Sequence, residues 1–281
     1  MNYRHIYHAG NFADVIKHIM LMLVMDYLQQ KDKPLFALDT HAGIGLYDLQ
    51  SEEAMKTSEA ELGIGRVWTR NDAPEAVKKY CALVQSFNKG KKGDLPHFYP
   101  GSPMIVQSLL RDQDRFVANE LHPEDVKTLR MNIGESRQTK VESLDGYIQL
   151  KALLPPPERR GVVLIDPPFE VRNEFEQMIK GLENSIKRWA QGTYMFWYPI
   201  KDPKIIRDFH ADLAATGIPN IIAIDFMATK PMDLTRFNGT GLVIVNPPWI
   251  LVEQARTILP WLVEAMTQGR GAFKINIIAG E

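Results

Sequence analysis

The sequence has very little cysteine, no long apolar run and almost no net charge. Cys81 is the single cysteine, so no disulfide can form within the chain, which is typical of a protein from a reducing compartment. The longest apolar run, Ile19 to Met25, is too short for a membrane-spanning helix, which needs ~20 such residues. No small-residue cleavage site follows that run, which argues against a secretory signal peptide. We therefore expect a cytoplasmic protein with no membrane partner.

The charge balance excludes a protein that binds nucleic acid through its overall charge. Lys and Arg number 33 against 34 Asp and Glu, and the formal net charge is −1. Any contact with RNA or DNA must therefore come from a local patch. The N-terminal segment offers one such patch, consisting of Arg4, His5, His8, Lys17 and His18. A second cluster, Lys89, Lys91 and Lys92, is more typical of a solvated loop.

Short apolar strands alternate with helical patterns along most of the 281 residues. The predicted strands are 35–38, 116–120, 139–142, 161–165, 193–197, 221–226 and 242–245. Such alternation predicts an α/β fold with a doubly wound, mostly parallel sheet, here of seven strands. The first helix should begin after Asn11, which serves as its N-cap. Another helix should begin at Ser102-Pro103, with Ser102 as its N-cap and Pro103 at its first position.

Two segments depart from this alternation. Residues 227–241 are polar and lack the helical crossover that parallel neighbours need, so the strand at 242–245 should run antiparallel to its neighbours. Residues 47–96 carry helical patterns and no strand pattern. We therefore expect a helical insertion after the first strand, with residues 1–46 and 97–281 forming the main domain.

Four predicted strands end in residues suited to a nucleotide-like ligand, and ligands of such sheets bind beyond the carboxyl ends of the strands. Gly43 and Gly45 would let the backbone approach a ligand closely, and Glu120 would accept hydrogen bonds from ribose hydroxyls. Asp145-Gly146 would hold an adenine amino group. Taken alone, these features are equally typical of a tight turn, a solvated strand end and a common turn dipeptide.

The fourth strand end, Asp166-Pro167-Pro168-Phe169, indicates a functional site more clearly than the other three. The two prolines fix the backbone, so the Asp166 carboxylate and a backbone carbonyl can be presented to one amino group, beside the Phe169 ring. The ordinary alternative is a strand terminator. Because the first three strand ends also suit a nucleotide-like ligand, we favour the functional interpretation of this one.

This combination resembles the class I S-adenosylmethionine-dependent methyltransferases, which have a Rossmann-like fold. The Asp166–Phe169 run is similar to the Asp-Pro-Pro-aromatic motif of enzymes that methylate the N6 amino group of adenine. Over essentially the whole chain, the sequence is similar to the RlmJ family. The segments that carry this likeness are 3–5, 8–11, 13–15, 17–18, 39–43, 99–103, 119–123 and 197–199.

The resemblance implies an enzyme that methylates N6 of one adenine in 23S ribosomal RNA. Its cofactor would be S-adenosylmethionine, released as S-adenosylhomocysteine, and no metal would be needed. We expect a monomer. The departures from the family pattern are small, since Phe169 replaces a more usual tyrosine and Ile44 lies between the two glycines.

The resemblance also assigns roles to individual residues. The catalytic residues would be Asp166, Pro167 and Phe169, with Asp166 as the formal proton acceptor. The cofactor-binding residues would be His18, His41, Gly43, Ser102, Glu120, Asp145, Gly146 and Asp166. Tyr3, Arg4 and Lys17 would lie on the side of the substrate RNA.

Three other functions remain as alternatives. A DNA adenine-N6 methyltransferase would use the same chemistry, but such enzymes usually carry a larger recognition domain than residues 47–96 provide. A non-catalytic RNA-binding protein on this fold would not need an intact Glu120 and Asp166. A nicotinamide-dependent oxidoreductase is disfavoured because the third glycine of the dinucleotide fingerprint is missing.

A second motif match tests the predicted strand direction. Asn246-Pro247-Pro248-Trp249 fits the same (Asp/Asn/Ser)-Pro-Pro-aromatic pattern and also follows an apolar strand. If that strand is antiparallel, its carboxyl end lies at the edge of the sheet away from the ligand. We therefore expect Asn246 to be a structural residue and Asp166 the catalytic one.

Overall fold

The computed structural model describes residues 4–91, 93–134 and 136–280, so the proposed RNA contact at Tyr3 lies outside the described residues. A short 3-10 helix, His5–Tyr7, precedes the first α-helix. The α-helices are α1 (Phe12–Gln29), α2 (Glu52–Thr57), α3 (Glu59–Leu62), α4 (Ile64–Val67), α5 (Glu75–Ser86), α6 (Ser102–Leu109), α7 (Pro123–Ile133), α8 (Gly146–Leu153), α9 (Glu174–Arg188), α10 (Pro203–Ala215) and α11 (Leu251–Thr267). The strands are β1 (Phe36–Asp39), β2 (Leu46–Asp48), β3 (Phe98–Pro100), β4 (Arg115–Asn119), β5 (Thr139–Glu142), β6 (Gly161–Ile165), β7 (Thr193–Ile200), β8 (Ile221–Met227), β9 (Gly239–Val245) and β10 (Ala272–Ala279).

One eight-stranded sheet, in the order β10-β8-β9-β7-β6-β1-β4-β5, organises the fold. The five strands from β5 to β7 are parallel, whereas β9 is antiparallel to both β7 and β8. The predicted mostly parallel α/β sheet and the predicted direction of β9 are therefore confirmed. The expected number of seven strands is corrected to eight, because β10 pairs antiparallel with β8 at the end of the sheet.

Because these five strands run parallel, their carboxyl ends meet at one edge of the sheet, which we call the carboxyl edge. β5, β4, β1, β6 and β7 all end there. All five residues of β6 are buried, as are all four residues of β1. Runs of this kind belong to strands that are covered on both faces.

α1 is buried almost all round and covers one face of the sheet. It begins where Asn11 predicts, because the Asn11 Oδ1 accepts a hydrogen bond from Asp14 N at 3.0 Å. Fourteen of its residues are buried, including Lys17 and His18. The helix thus carries charged and polar side chains into the interior, directly toward the carboxyl edge.

The segment after β1 is largely helical, but it begins and ends with short strands. β2 overlaps the start of the predicted strand-free segment and pairs antiparallel with β3, closing the segment at its base. The buried side chains of its helices, such as Ile64 and Tyr80, share one apolar cluster with α1. This packing connects the helical segment directly to the helix that carries Lys17 and His18.

Candidate active site

A cavity of about 300 Å³ lies at the carboxyl edge, and we call it the first cavity. Its walls come from the ends of β1, β4, β5 and β6 and from α1. It is lined by all eight residues predicted to bind the cofactor, namely His18, His41, Gly43, Ser102, Glu120, Asp145, Gly146 and Asp166. The structure therefore brings together side chains that are separated by up to 148 positions, counted from His18 to Asp166.

Glu120 follows β4 and is held in place by backbone donors. Its two carboxylate oxygens accept hydrogen bonds from Gly43 N and His122 N, each at 2.8 Å. Burial raises the pKa of Glu120, and the two backbone hydrogen bonds oppose that shift. A carboxylate offers about four acceptor sites, so roughly two remain for ligand hydroxyls.

Asp145 caps α8 with one oxygen. Its Oδ1 accepts from Tyr147 N and Ile148 N, at 2.9 and 3.0 Å, and its side chain reaches solvent beside the first cavity. Gly146 must be small, because a Cβ there would lie 2.7 Å from the His41 ring. The turn dipeptide in the sequence is thus explained by close packing against His41 as well as by helix capping.

His41 is a half-buried, neutral histidine. Burial lowers its pKa to about 4. Its Nδ1 lies 2.8 Å from the Thr40 hydroxyl, which itself donates to Leu164 O at 3.0 Å. Since that hydroxyl has a single proton, it accepts from His41 Nδ1–H, and His41 Nε2 is left as an acceptor.

Asp39 and Ser102 form a buried pair behind the first cavity. The expectation that Ser102 caps α6 is wrong: the N-cap is Gly101, and the Ser102 hydroxyl donates to Asp39 Oδ2 at 2.6 Å. Burial raises the pKa of Asp39 to about 7, and the nearby Asp166 adds to the shift. Asp39 lies four residues before Gly43 in the sequence, and no local pattern there indicates its pairing with Ser102.

Lys17 links α1 to the end of β6. Its ammonium lies 2.8 Å from Asp14 Oδ1 and 2.5 Å from Asp166 Oδ2. Burial would lower the pKa of Lys17, but the two carboxylates outweigh it and raise that pKa above its usual range. Burial would raise the pKa of Asp14, but the neighbouring charges of His5 and Lys17 hold it well below its usual range. The chain therefore keeps a buried cation directly on the predicted catalytic carboxylate.

A second cavity of about 250 Å³ lies on the other side of Asp166, and we call it the aromatic cavity. Its aromatic lining consists of Phe169, Trp197 and Phe237, while His5, Lys17, Asp166 and Pro168 line both cavities. The Phe169 ring packs edge-on against Trp197, with ring centroids 5.8 Å apart. Phe169 has a φ of +52°, a left-handed conformation rare for an aromatic residue and found mainly where function requires it.

Three aromatic residues of β7, Tyr194, Trp197 and Tyr198, differ in their positions relative to the aromatic cavity. Trp197 lines the aromatic cavity. Tyr194 and Tyr198 are fully buried in a different apolar cluster, where Tyr194 donates to Trp189 O and Tyr198 to Asp225. Alternation of side chains along a strand explains this separation of Trp197 from its neighbour Tyr198.

The three basic residues that precede α1, Arg4, His5 and His8, are each paired with an acidic side chain. Arg4 lies 2.9 Å from Asp125, His5 lies 2.9 Å from Asp14, and His8 lies 3.0 Å from Glu59. The described residues contain no group of three or more His, Cys, Asp or Glu side chains placed to hold a metal ion. These pairs fix the start of the chain along the rims of both cavities, rather than leaving an open basic patch.

Asn246 lies at the opposite edge of the sheet. Its side-chain amide donates to Ala190 O and Gly192 O, both at 2.9 Å, directly before the start of β7. Neither cavity includes it. The predicted structural role of this second motif is therefore supported by its place in the fold.

Several side chains at the site were not predicted to act there. Asp14, Tyr99 and Phe237 contact the predicted residues or line a cavity. Asp14 lies one helical turn before Lys17, a spacing that could have indicated the ion pair. Phe237 follows a polar stretch that has neither helical nor strand periodicity, so its position in the aromatic cavity is visible only in the structure.

No helix within the described ranges is long and apolar enough to cross a membrane. Over nearly its whole length, the chain is similar to proteins named as ribosomal RNA methyltransferases. A family model described as "Ribosomal RNA large subunit methyltransferase D, RlmJ" matches residues 32–279.

Individual relatives agree with that match. A Haemophilus influenzae protein named Ribosomal RNA large subunit methyltransferase J is 42% identical over 282 residues, with 100% of both chains covered. An Escherichia coli protein of the same name is 43% identical over 262 residues, which cover 93% of this chain and 92% of that protein. A crystal structure of a Legionella pneumophila protein, 34% identical, has a TM-score of 0.88 and covers 96% of this chain and 98% of that one.

Proposed function

Since the chain belongs to the RlmJ family of large-subunit ribosomal RNA methyltransferases, we propose that it methylates N6 of one adenine in 23S ribosomal RNA. The observation that carries this proposal is the position of Asp166, which lines both the first cavity and the aromatic cavity. A methyl donor on one side and an adenine on the other would meet at this carboxylate. We further propose that the enzyme acts as a cytoplasmic monomer.

The first cavity fits S-adenosylmethionine. Glu120 has free acceptor sites for two ribose hydroxyls, and Asp145 has a second oxygen for the adenine amino group. At the other end, His18 and Lys17 offer donors for the carboxylate of the methionyl group. When bound, the cofactor supplies a methyl group on a positively charged sulfur.

The aromatic cavity fits the target adenine. A base inside a stacked helix cannot reach Asp166, so it must be turned out and received by apolar and aromatic side chains. Phe169, Trp197 and Phe237 provide such faces, and stacking on an aromatic side chain is worth ~1–3 kcal/mol per base. We therefore assign this cavity to the substrate base.

Asp166 and Pro167 then orient the adenine amino group. Lys17 occupies Asp166 Oδ2, so Oδ1 is the oxygen that accepts a hydrogen bond from N6. The Pro167 carbonyl oxygen accepts the second N6 proton. These two acceptors would draw the nitrogen lone pair out of the ring. Asp166 would accept the N6 proton as the methyl–sulfur bond breaks and the N6–methyl bond forms, which leaves S-adenosylhomocysteine as the second product. Lys17 holds the carboxylate in place and keeps its own proton.

A direct assay tests this function. The purified protein is incubated with S-adenosylmethionine carrying a radiolabelled methyl group and with 23S ribosomal RNA from cells that lack the gene. We expect one N6-methyladenine per RNA, located by mass spectrometry of nuclease fragments, and none on adenine-containing DNA duplexes. Label on DNA, or on a different atom of the RNA, would overturn the proposal.

A further inference from the structure

A chain of buried hydroxyl groups leads from the helical segment to the first cavity. The Tyr80 hydroxyl on α5 lies 2.8 Å from the Tyr99 hydroxyl on β3, which lies 2.8 Å from His18 Nδ1 on α1. All three side chains are almost completely inaccessible to solvent. Burial raises the pKa of Tyr80 and of Tyr99 well above the usual range, so both keep their protons.

The number of protons in this chain determines its direction. Within the described residues, the Tyr80 hydroxyl has one hydrogen-bond partner, Tyr99. Two hydrogen bonds join three donors, so one donor finds no acceptor within the chain in either direction, either the Tyr80 O–H or the His18 N–H. Tyr80 is fully buried and lines neither cavity, whereas His18 lines the first cavity, where a ligand can accept its proton. Tyr99 therefore accepts from Tyr80 and donates its own proton to His18 Nδ1. A neutral imidazole that accepts at Nδ1 carries its proton at Nε2.

His18 is a neutral imidazole with an unused donor. Burial lowers its pKa to about 3, so it carries one ring proton at neutral pH. Its Nε2 is buried and has no hydrogen-bond partner among residues 4–91, 93–134 and 136–280. Asp14 Oδ1 is 3.9 Å away, which is beyond hydrogen-bond range, and that oxygen already accepts from Lys17. A buried N–H without an acceptor is unfavourable, and His18 lines the first cavity.

We propose that Tyr80 and Tyr99 are positioning residues that hold His18 in its Nε2–H form, ready to donate to the carboxylate at the methionyl end of the cofactor. This inference rests on the proposed function. It also gives the helical segment a role in cofactor binding, since α5 supplies the first hydroxyl of the chain. His41, another histidine of the first cavity, has the opposite form, with its proton at Nδ1.

The ring forms can be measured directly without cofactor or activity. Nitrogen-15 NMR of the imidazole rings distinguishes a protonated Nε2 from a protonated Nδ1. In the full-length protein at pH 7, we expect Nε2–H for His18 and Nδ1–H for His41, with assignment by His18→Gln and His41→Gln. Nδ1–H at His18 would overturn the proposal.

Binding of two related ligands tests the assigned acceptor. S-adenosylhomocysteine carries the amino-acid carboxylate, whereas 5′-methylthioadenosine lacks it. Tyr99→Phe removes only the hydroxyl and keeps the ring that packs on His18 at 5.7 Å. We expect it to weaken S-adenosylhomocysteine binding about tenfold in calorimetry and to leave methylthioadenosine binding unchanged. Tyr80→Phe should have a smaller effect in the same direction.

A matched variant separates positioning from general damage. Tyr194 is equally buried and hydrogen-bonded, but it lies outside both cavities, so Tyr194→Phe should change neither affinity. An equal loss for both ligands in Tyr99→Phe, or no loss for either, would overturn the positioning role. If the unmodified protein bound neither ligand, the proposed function itself would fail, which is a different result.

Discussion

The Lys17 ammonium lies between two carboxylates, 2.8 Å from Asp14 and 2.5 Å from Asp166. Lys17 and Asp14 are almost fully buried, whereas the Asp166 side chain retains 13% exposure at the cavities. The ion pair therefore has an inner carboxylate that serves stability and an outer one that reaches the ligands. This division predicts different consequences when each partner is replaced.

Replacing the outer carboxylate should remove activity but preserve the fold. In Asp166→Ala, Lys17 still has Asp14 as its partner, so no buried charge is left alone. We expect methyl transfer to fall below a tenth of the unmodified rate, with a nearly unchanged thermal melt. A radiolabelled-methyl assay measures the rate, and activity above that level would contradict the catalytic assignment.

Replacing the lysine should reduce stability. Lys17→Met removes the buried ammonium from Asp14, which keeps His5 as a neighbour at 2.9 Å, and breaking a buried ion pair in this way costs roughly 3–5 kcal/mol. Denaturant unfolding at pH 7 measures the loss. Lys204→Met is the matched control, because Lys204 pairs with Asp208 at the surface at 2.8 Å, and it should unfold like the original protein. Equal stability of the two variants would show that the buried pair is not stabilising.

The same pair predicts how stability depends on pH. The folded pKa of Asp14 is depressed below 3.8, so its contribution is present above that pH and is lost as the pH falls through the folded value. The folded pKa of Lys17 is raised above 10.5, so its contribution is complete below pH 10.5 and is lost as the pH rises further. Between these limits the pair should contribute a constant amount to the free energy of unfolding.

Asp39 should have the opposite effect on stability. Its folded pKa is raised to about 7 from 3.8, mainly by burial, so the folded state holds the Asp39 proton more tightly than the unfolded state does. The resulting stabilisation is complete below pH 3.8 and is lost as the pH rises to about 7. Asp39→Asn cannot ionise and still hydrogen-bonds to Ser102 and His41 N. We expect it to be more stable than the original protein by roughly 4 kcal/mol at pH 8 and by little at pH 4. Unfolding curves at both pH values test this, and an equal difference at both would contradict it.

Glu120 should affect the cofactor more than the RNA. Hydrogen bonds to a charged acceptor contribute ~1.5–3 kcal/mol, so Glu120→Ala should weaken S-adenosylhomocysteine binding at least about tenfold. RNA affinity, measured by filter binding, should stay unchanged. Glu124→Ala is a suitable control, because Glu124 lies at the start of α7 but pairs with Lys127 in solvent. An unchanged cofactor affinity in Glu120→Ala would place the ribose contact elsewhere.

The sequence allowed the sheet and most of the first cavity to be predicted, because both depend on local patterns. Strand ends at Glu120, Asp145 and Asp166 are visible as apolar runs followed by an acid, and parallel topology brings such ends together. β10 was missed because none of its residues is fully buried and its apolar pattern includes the polar Lys274 and Asn276. Edge strands often lack a clear pattern for this reason.

Contacts between distant segments were not predictable in this way. Lys17 and Asp166 are 149 positions apart, and Ser102 and Asp39 are 63 apart. Ser102 before a proline is a good N-cap by local rules, but Gly101 takes that position and the Ser102 hydroxyl donates to Asp39, which β1 places within reach. Phe237 became part of the aromatic cavity through the path of the β8–β9 connection, which no short pattern encodes.

Asn246 and Asp166 each begin a run of two prolines and an aromatic residue, but they should differ in role. Asn246 has a φ of +52° and donates to Ala190 O and Gly192 O, so it holds the start of β7 from the opposite edge of the sheet. Asn246→Ala would lose both hydrogen bonds and would leave alanine in a left-handed conformation that asparagine tolerates better. We expect a loss of roughly 1–3 kcal/mol of stability.

Turnover of the Asn246→Ala variant should nevertheless stay within a few-fold of the original rate when it is measured well below the melting temperature. Asp166→Ala should show the reverse, with a preserved melt and no turnover. Asn246→Gly, which accepts a positive φ freely, should recover part of the stability and so separate backbone strain from the lost hydrogen bonds. A severe loss of turnover in Asn246→Ala without a lower melting temperature would contradict the choice of Asp166, because it would require the carboxyl end of β9 to take part in the reaction.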